Sequence, residues 1–271
     1  YDYLGAGPET LTRFAAKPPK GAAKPVLIVG AETVARADGA AVLALVAKAA
    51  KAMGAVKDGW NGFNILHTAA SRVGGLDMGF VPGEGGLTAA QMVQKGALDV
   101  LVLMGADEID LSASDAFVIY MGTHGDAGAH RADVILPGAA YSEKAALYVN
   151  TEGRVQMASR AVFPKGDAKE DWAILRALSE RLGKTLPYDS LNQLRAKLFA
   201  DHPTFGQIDY VASGAALDLA MVGTAGDLSD AAFAGPAQDF YLTNPIARAS
   251  VTMAECSATA KVARVKPVAA E

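Results

Sequence analysis

The chain has 271 residues, enough for one large domain or two modest ones with a hydrophobic core. Hydrophobic residues make up 51% and charged residues 20%, and the formal net charge is −4. A negative net charge argues against nucleic acid as the main ligand, since neutralising phosphates requires a basic surface. The low charged fraction favours a protein that packs against partners. The single cysteine, Cys256, excludes an internal disulfide and a cysteine-ligated cluster built by this chain alone.

No apolar run reaches the roughly 18–20 residues that span a bilayer, so we expect no direct membrane insertion. The N-terminus lacks an initiating methionine and a signal-peptide pattern, which indicates a C-terminal fragment of a longer polypeptide. Residues 15–25 carry Pro18, Pro19 and Pro25, which prevent a continuous helix. We therefore predict that residues 1–24 are the end of a preceding domain and a linker.

Short apolar runs alternate with helical patterns from residue 26 to residue 137. We predict strands at residues 26–29, 63–66, 100–104, 117–121 and 134–136. Helices are expected at residues 38–53, with Asp38 as the N-cap, and at 88–95, with Gly96 as a left-handed stop. The run at 100–104 is apolar on both faces, as in a parallel sheet. This alternation predicts an α/β domain at residues 25–165 with a doubly wound, mostly parallel sheet.

The pattern changes after Pro137. Residues 147–160 read as a hairpin or an irregular β segment that turns at Glu152–Gly153, and helices are expected at 171–182 and 191–199. Residues 212–237 have weak periodicity and are predicted to be mostly loop. Asn244 and Pro245 then open a final helix, as cap and first helical residue. We predict a mainly helical region at 166–271 that packs on the α/β domain and on partner subunits.

The segment from Tyr120 to Gln156 concentrates polar and backbone-permissive residues, and a metal site is the first chemistry to consider. Two of the four histidines, His124 and His130, lie there, whereas His67 and His202 are distant in sequence. Their spacing matches no common zinc motif. We expect hydrogen-bonded or solvent-facing histidines rather than metal ligands.

A glycine ladder, Gly122, Gly125 and Gly128, follows a predicted strand, where backbone N–H groups can approach a phosphate. The sequence matches neither the dinucleotide fingerprint nor the Walker pattern, and Asp126 would repel a phosphate. A second loop has the same weakness, because Glu84 lies among its glycines: Gly83, Gly85 and Gly86. The alternative is that these loops need positive φ angles or close chain crossings.

Two nucleophiles are weak candidates. A hydrolase triad of Ser142, His124 and Asp126 lacks a Gly-x-Ser-x-Gly elbow. Cys256 has no basic neighbour that would activate its thiol.

The charged residues around the strand at 134–136 leave two interpretations open. They mark a ligand site at the end of a parallel sheet, or they form ion pairs that hold loops together. These residues are Arg131, Asp133, Glu143, Asn150, Glu152 and Arg154.

Three separated blocks carry a family resemblance. Residues 132–137 (ADVILP), Glu143 and residues 150–154 (NTEGR) resemble molybdopterin oxidoreductases of the formate dehydrogenase type. The whole stretch at residues 122–156, with residues 170–198 and 239–256, is similar to the large iron–sulfur subunit of respiratory complex I, either the mitochondrial 75 kDa type or its counterpart in the bacterial NADH-quinone oxidoreductase. The resemblance covers most of residues 60–200 and 239–256.

This resemblance implies the C-terminal part of that subunit, a molybdopterin-enzyme fold without the pterin. Ala146–Leu147 stand where catalytic relatives tend to carry Gly-Thr or Gly-Ser, so we expect no catalytic, cofactor-binding or metal-binding residue in this chain. The resemblance places 2Fe-2S and 4Fe-4S clusters in the N-terminal part of the subunit. It implies a redox-silent lobe of a proton-translocating NADH:quinone oxidoreductase, bound to other peripheral-arm subunits at the cytoplasmic or matrix face of the membrane. The alternatives are a catalytic molybdopterin enzyme and a nucleotide-binding α/β module.

Overall fold

The structure is a computed structural model and describes residues 22–211, 217–231 and 239–265. These residues form two compact units, one of residues 22–68 and 217–231 and one of residues 69–211 and 239–265. Most of the predicted linker at 1–24 lies outside the described residues, as do parts of the predicted loop at 212–237. The domain boundaries after residues 24 and 165 stay a prediction.

In the first unit, strand β1 (Leu27–Gly30) pairs in parallel with β4 (Phe63–Leu66), which confirms both predicted strands. Between them lie helices α1 (Ala31–Val34) and α2 (Gly39–Met53) and a small antiparallel pair, β2 (Val56–Lys57) and β3 (Trp60–Asn61). A 3-10 turn at Leu219–Met221 packs Leu219 against the alanines of α2. Small side chains on α2 therefore allow a close approach of the 217–231 segment.

Helix α2 begins directly after Asp38, as predicted, but the role expected for the Asp38 side chain is wrong. The carboxylate makes no capping bond. It accepts hydrogen bonds from Arg36 Nε at 2.8 Å and from the backbone N–H of Ser229 at 2.8 Å. These partners, with the Arg36 bond as the largest cause, hold the pKa of Asp38 well below its usual range. The carboxylate thus joins two segments that lie far apart in sequence.

The second unit contains a parallel sheet in the order β5 (Val100–Met104), β6 (Phe117–Gly122) and β7 (Val134–Pro137), so the three predicted strands are confirmed. Its helices include α3 (Arg72–Asp77), α4 (Ala89–Met92) and α5 (Ala127–Arg131). Helix α4 is shorter than the predicted 88–95, although Thr88 and Gln91 form a capping box and Gly96 has φ 71°.

One face of this sheet is buried, and the other is exposed along β5, although Met121 on that second face is 1% exposed. Leu101 and Leu103 are 6% and 4% exposed, and they pack with Val118 and Tyr120 in the main core. On the opposite face, Val100, Val102 and Met104 are 51%, 40% and 50% exposed, and Phe117 and Val134 are also exposed. We call these last five residues the bare sheet face. The strand expected to be covered on both sides is therefore covered on one side in the described structure.

The mixed α/β class with parallel sheets is confirmed. Its parallel strands fall into a pair, β1 and β4, and a triplet, β5 to β7. The doubly wound arrangement of a single sheet stays a prediction.

The hairpin predicted at 147–160 is confirmed as β8 (Ala146–Val149) and β9 (Val155–Ala158), with Gly153 at φ 81° in the turn. Helices α6 (Asp171–Arg181) and α7 (Leu191–Asp201) follow. The hairpin buries Val149 and Val155 against Phe205.

The expected final helix is two helices, α8 (Pro245–Arg248) and α9 (Val251–Val265). Asn244 caps the first as predicted, and Ser250 Oγ accepts a bond from the backbone N–H of Met253 at the start of the second. This local side-chain bond favours a new helix start at Ser250. Within the three described ranges, none of the helices has the length and hydropathy that a bilayer crossing requires.

Two neighbouring residues of β5 test the asymmetry of the sheet in the isolated chain. Leu103→Ala should lower the free energy of unfolding by about 2–5 kcal/mol, because it leaves a cavity in the core. Met104→Ala removes a side chain that is half exposed and should cost about 1 kcal/mol or less. Urea unfolding of both variants measures the difference, and equal losses would contradict the exposure of this face.

Candidate functional site

The carboxyl ends of β5 and β6 border a small crevice, which is where open α/β sheets place ligands. Its cavity measures about 150 Å³. The ammonium of Lys144 pairs with the carboxylate of Asp171 there, so the one lysine of the lining already has an anionic partner. The other lining residues are Met104, Gly105, Tyr120, Met121, Gly122, Thr123, Ala139 and Pro245.

The glycine ladder allows close contacts at two of its three positions, with the Tyr120 side chain at Gly122 and with the loop after β5 at Gly128. A Cβ on Gly122 would lie 2.1 Å from Tyr120 Oη, and one on Gly128 would lie 2.8 Å from Asp107 Oδ1. Gly125 has room, since its nearest contact would be Ala129 Cβ at 3.6 Å. None of the three has a positive φ, so backbone strain does not require glycine here. Glycine is required at Gly122 and Gly128 because a Cβ would collide with neighbouring atoms.

Asp107 connects the loop after β5 to the start of α5. It is completely buried, and its Oδ1 accepts hydrogen bonds from the backbone N–H of Gly128 at 2.7 Å and of Ala129 at 3.3 Å. Its Oδ2 has no hydrogen-bond partner among the described residues. The backbone amides that a phosphate would need at this position are therefore used by a carboxylate of the chain.

Asp126 and Glu108 share a cation, Arg248, which comes from α8. Arg248 Nε donates to Asp126 Oδ2, and Arg248 Nη1 lies 3.2 Å from Glu108 Oε1. The same Asp126 accepts a bond from the backbone N–H of Ala127 at the start of α5. The negative charge of Asp126 is therefore balanced by Arg248 within the chain. The carboxylate still occupies the loop that a phosphate would approach.

Tyr120 is a buried residue of the crevice lining. It is 1% exposed, and its hydroxyl donates to the carbonyl oxygen of His124 at 2.8 Å. Burial, assisted by the negative charge of Asp107, raises the pKa of Tyr120 above its ordinary value. The phenol is therefore neutral at physiological pH and acts as a hydrogen-bond donor to the loop.

The four histidines make separate contacts. His124 Nδ1 lies 2.9 Å from Thr123 Oγ1, His130 is exposed on α5, and His202 makes an edge contact with Phe205. His67 is half-buried, and its Nδ1 has no partner among the described residues. In that part of the chain, no group of three or more histidine, cysteine or acidic side chains is placed to hold a metal ion.

Of the two interpretations of the charged segment, the structure favours ion pairs that hold loops together. Arg131 donates to the carbonyl oxygen of Ala116 at 3.1 Å and lies 3.4 Å from Asp133, which accepts a bond from the backbone N–H of Val118. Glu143 accepts a bond from the backbone N–H of Ala140. These contacts fix the start of β7 and the turn after it.

The NTEGR block forms the turn of the β8–β9 hairpin. Asn150 Oδ1 accepts bonds from the backbone N–H groups of Glu152 and Arg154. Arg154 donates to the carbonyl oxygen of Asp209 at 2.7 Å and pairs with Glu152. Its polar side chains therefore stabilise a turn and its neighbour, and they do not converge on the crevice lining.

The remaining candidates do not join the crevice either. Ser142 accepts two backbone bonds, from Ala161 and Val162, through its carbonyl oxygen. Cys256 is a half-buried free thiol on α9. In the second glycine loop, Gly86 donates to the carbonyl oxygen of Gly83, and Gly85 has φ 72°. Here the alternative of a loop with a positive φ is the correct one.

The crevice does not fit a pterin cofactor. Its cavity of about 150 Å³ is smaller than the roughly 300–1,000 Å³ of usual ligand pockets. Leu147, where a small or hydroxylated residue is expected in catalytic relatives, packs on the hydrophobic cluster around Val149. Its side chain is therefore committed to the core of the hairpin.

Sequence reasoning missed Asp107, Arg248, Lys144 and Asp171. Asp107 carries a usable signal, since it is an acidic residue three positions after a buried strand, at the edge where ligands bind. Arg248 has no such signal in the sequence, because its partners Asp126 and Glu108 lie 122 and 140 residues away.

Comparison with known proteins decides the family. The profile of molybdopterin oxidoreductases matches residues 1–181. The chain belongs to the molybdopterin oxidoreductase family. A second profile, which describes the C-terminal region of an NADH-ubiquinone oxidoreductase subunit, matches residues 207–256. These two matches cover the segments on which the resemblance was based, except residues 182–198.

Curated relatives narrow the assignment within this family. The chain is 41% identical over 244 residues to the NADH-ubiquinone oxidoreductase 75 kDa subunit of Reclinomonas americana, covering 88% of this chain and 35% of the relative. It is 39% identical to the mitochondrial NADH dehydrogenase [ubiquinone] iron-sulfur protein 1 of Solanum tuberosum, covering 96% and 36%. A subunit of the Rickettsia bellii NADH-quinone oxidoreductase is 39% identical, with 88% and 33% covered. The chain thus spans about a third of the length of these relatives.

Two glycines of the ladder form a matched test. Gly128→Ala should lower the free energy of unfolding by about 1–3 kcal/mol, because the new methyl group meets Asp107 and the backbone oxygen of Ala106. Gly125→Ala should be neutral or stabilise by up to about 1 kcal/mol, since its site is open and alanine restricts the unfolded chain. Thermal unfolding of the two variants measures both effects, and a larger loss for Gly125→Ala would refute the crossing.

Proposed function

We propose that this chain is a redox-silent structural and interaction lobe of the cluster-bearing subunit of an NADH:quinone oxidoreductase. The observation that carries the proposal is an identity of about 40% to such subunits over 88–96% of the chain. In this role the lobe supports electron transfer from NADH to quinone by helping to hold the redox groups of the complex in place. It carries no catalytic side chain of its own.

The lobe is organised as an α/β domain at residues 25–165 and a mainly helical region at 166–271. In the complete subunit the parallel strands belong to a doubly wound sheet of the molybdopterin oxidoreductase type. The apolar character of both faces of β5 supports this arrangement, because parallel strands with such sequences are covered on both sides.

Charged groups in the crevice and in the loops beside it are paired with one another, which supports a lobe without a cofactor. Arg248 is neutralised by Asp126 and Glu108, and Lys144 by Asp171. A cofactor phosphate would have to displace these internal partners. The 2Fe-2S and 4Fe-4S clusters of the subunit are held by the part of the polypeptide that the relatives carry beyond the matched region.

The bare sheet face is the surface that best suits packing in the assembled subunit. Val100, Val102 and Met104 form an apolar row that is half exposed in the described structure, and contiguous apolar surface of this kind marks interaction sites. The remaining part of the subunit and other peripheral-arm subunits are the partners. The lobe then lies on the cytoplasmic or matrix side of a membrane-bound complex.

Lysine substitutions on this face test the proposal in the full-length subunit. Val100→Lys/Val102→Lys should reduce assembly of the complex and NADH:quinone activity severalfold, because burying two ammonium groups at a packed surface is costly. The isolated chain should keep its fold, since both positions are at least 40% exposed. Native gel electrophoresis and membrane activity measure the first effect, and circular dichroism measures the second.

Val162→Lys/Val251→Lys is the matched control, with the same change at two valines that are 56% and 75% exposed elsewhere. Normal assembly and activity of the Val100/Val102 variant would overturn the packing role of the face. Equal losses in both double variants would do so too, since the effect would then not be specific to that face.

A catalytic molybdopterin oxidoreductase is the second candidate, favoured by the family profile over residues 1–181. Elemental analysis of the purified full-length protein separates the two functions. We expect molybdenum and tungsten well below one atom per chain, whereas stoichiometric metal with bound pterin would replace the proposed function.

A further inference from the structure

The C-terminal part of the second unit, residues 239–265, folds on itself before it reaches the sheet. Asp239 accepts a hydrogen bond from Ser257 Oγ and lies 3.1 Å from Lys261 Nζ, so the start of the segment is joined to α9. Asn244 caps α8, which positions Pro245 and Arg248 one turn apart. We call residues 239–265 the strap.

The strap contacts the sheet at its carboxyl edge. Pro245 lines the crevice beside Gly105 and Gly122, which follow β5 and end β6. Arg248 extends from the same short helix and bonds both neighbouring loops, at Glu108 after β5 and at Asp126 after β6. A single guanidinium thus connects three segments of the chain.

The charges at this edge explain why a cation is needed there. Asp107, Glu108 and Asp126 bring three carboxylates to two adjacent loops, and Asp107 is completely buried. Like charges on neighbouring loops disfavour one another, and a partly buried carboxylate is stabilised by a guanidinium that bonds it. The Arg248 side chain is 20% exposed, and its partners Asp126 and Glu108 are 37% and 58% exposed, so solvent screens the Asp126 pair less than the Glu108 pair.

We propose that the strap closes the crevice at the carboxyl ends of β5 and β6 and that the bonds of Arg248 to Glu108 and Asp126 hold the strap in place. The place where open α/β sheets hold a ligand is then covered by the chain itself. The guanidinium supplies the positive charge, and α8 covers the opening. This inference rests on contacts within one unit and stands independently of the proposed function.

Hydrogen exchange measured by mass spectrometry on the full chain tests the strap. Arg248→Ala should accelerate exchange at least tenfold in residues 240–250 and in the loops 105–108 and 123–128. Exchange in the β8–β9 hairpin should stay within about twofold of the wild type, because opening the strap leaves that hairpin in place. The double variant Glu108→Gln/Asp126→Asn removes the same ion pairs from the other side, keeps an oxygen to cap α5, and should accelerate the same three regions.

Arg176→Ala is the matched control. The Arg176 side chain is 19% exposed and pairs with Glu180 and Asp189, away from the crevice lining. It should leave exchange in the three regions within about twofold of the wild type. The proposal is overturned if either crevice variant exchanges at wild-type rates in the strap, if Arg176→Ala has the same effect, or if exchange rises uniformly through the unit.

Discussion

The buried carboxylate of Asp107 is the contact on which the arrangement of the second unit depends. It receives two successive backbone N–H groups of α5, and so it sets the distance between the loops that follow β5 and β6. A completely buried carboxylate is stable only when hydrogen bonds replace its hydration. The close approach of α5 follows from this bond, and glycine at position 128 follows from the close approach.

This arrangement also explains why the most polar segment of the chain does not form a usual ligand site. Its glycines allow close crossings, its aspartates are bonded by Arg248 and by backbone amides, and its NTEGR block forms a hairpin turn. Most of these polar side chains are engaged with another part of the chain, although Asp107 Oδ2 and Arg248 Nη2 have no hydrogen-bond partner among the described residues. A sequence that belongs to the molybdopterin oxidoreductase family thus uses the residues of this region to hold loops together.

The bare sheet face shows the opposite condition, an apolar surface that the described residues leave half exposed. β5 has apolar side chains on both faces, but only Leu101 and Leu103 are buried. A parallel strand of this composition is typical of a sheet covered on both sides. The role proposed for the chain, a lobe that packs on other polypeptide, accounts for this exposed face.

Much of the local structure could be predicted from the sequence, because its causes lie within a few residues. Apolar runs fixed the positions of β4 and β5, Asn244 and Thr88 capped helices through bonds to residues three positions away, and Gly153 turned the hairpin with a positive φ. The family could also be recognised, since ADVILP and NTEGR are contiguous blocks. These features need no knowledge of distant segments.

Only the tertiary structure decided which partner each charged side chain takes. Asp38 stands where a helix cap was expected, yet its carboxylate bonds Ser229, 191 residues away. Arg248 lies on a helix whose cap was predictable, but its partners Glu108 and Asp126 are supplied by loops of the sheet. The sequence by itself determined the family, the parallel strands and the Asn244 cap, because local hydrogen bonds and hydrophobic periodicity act over short distances. The tertiary structure decided how the crevice is closed, because a charge is satisfied by whichever partner the fold brings near it.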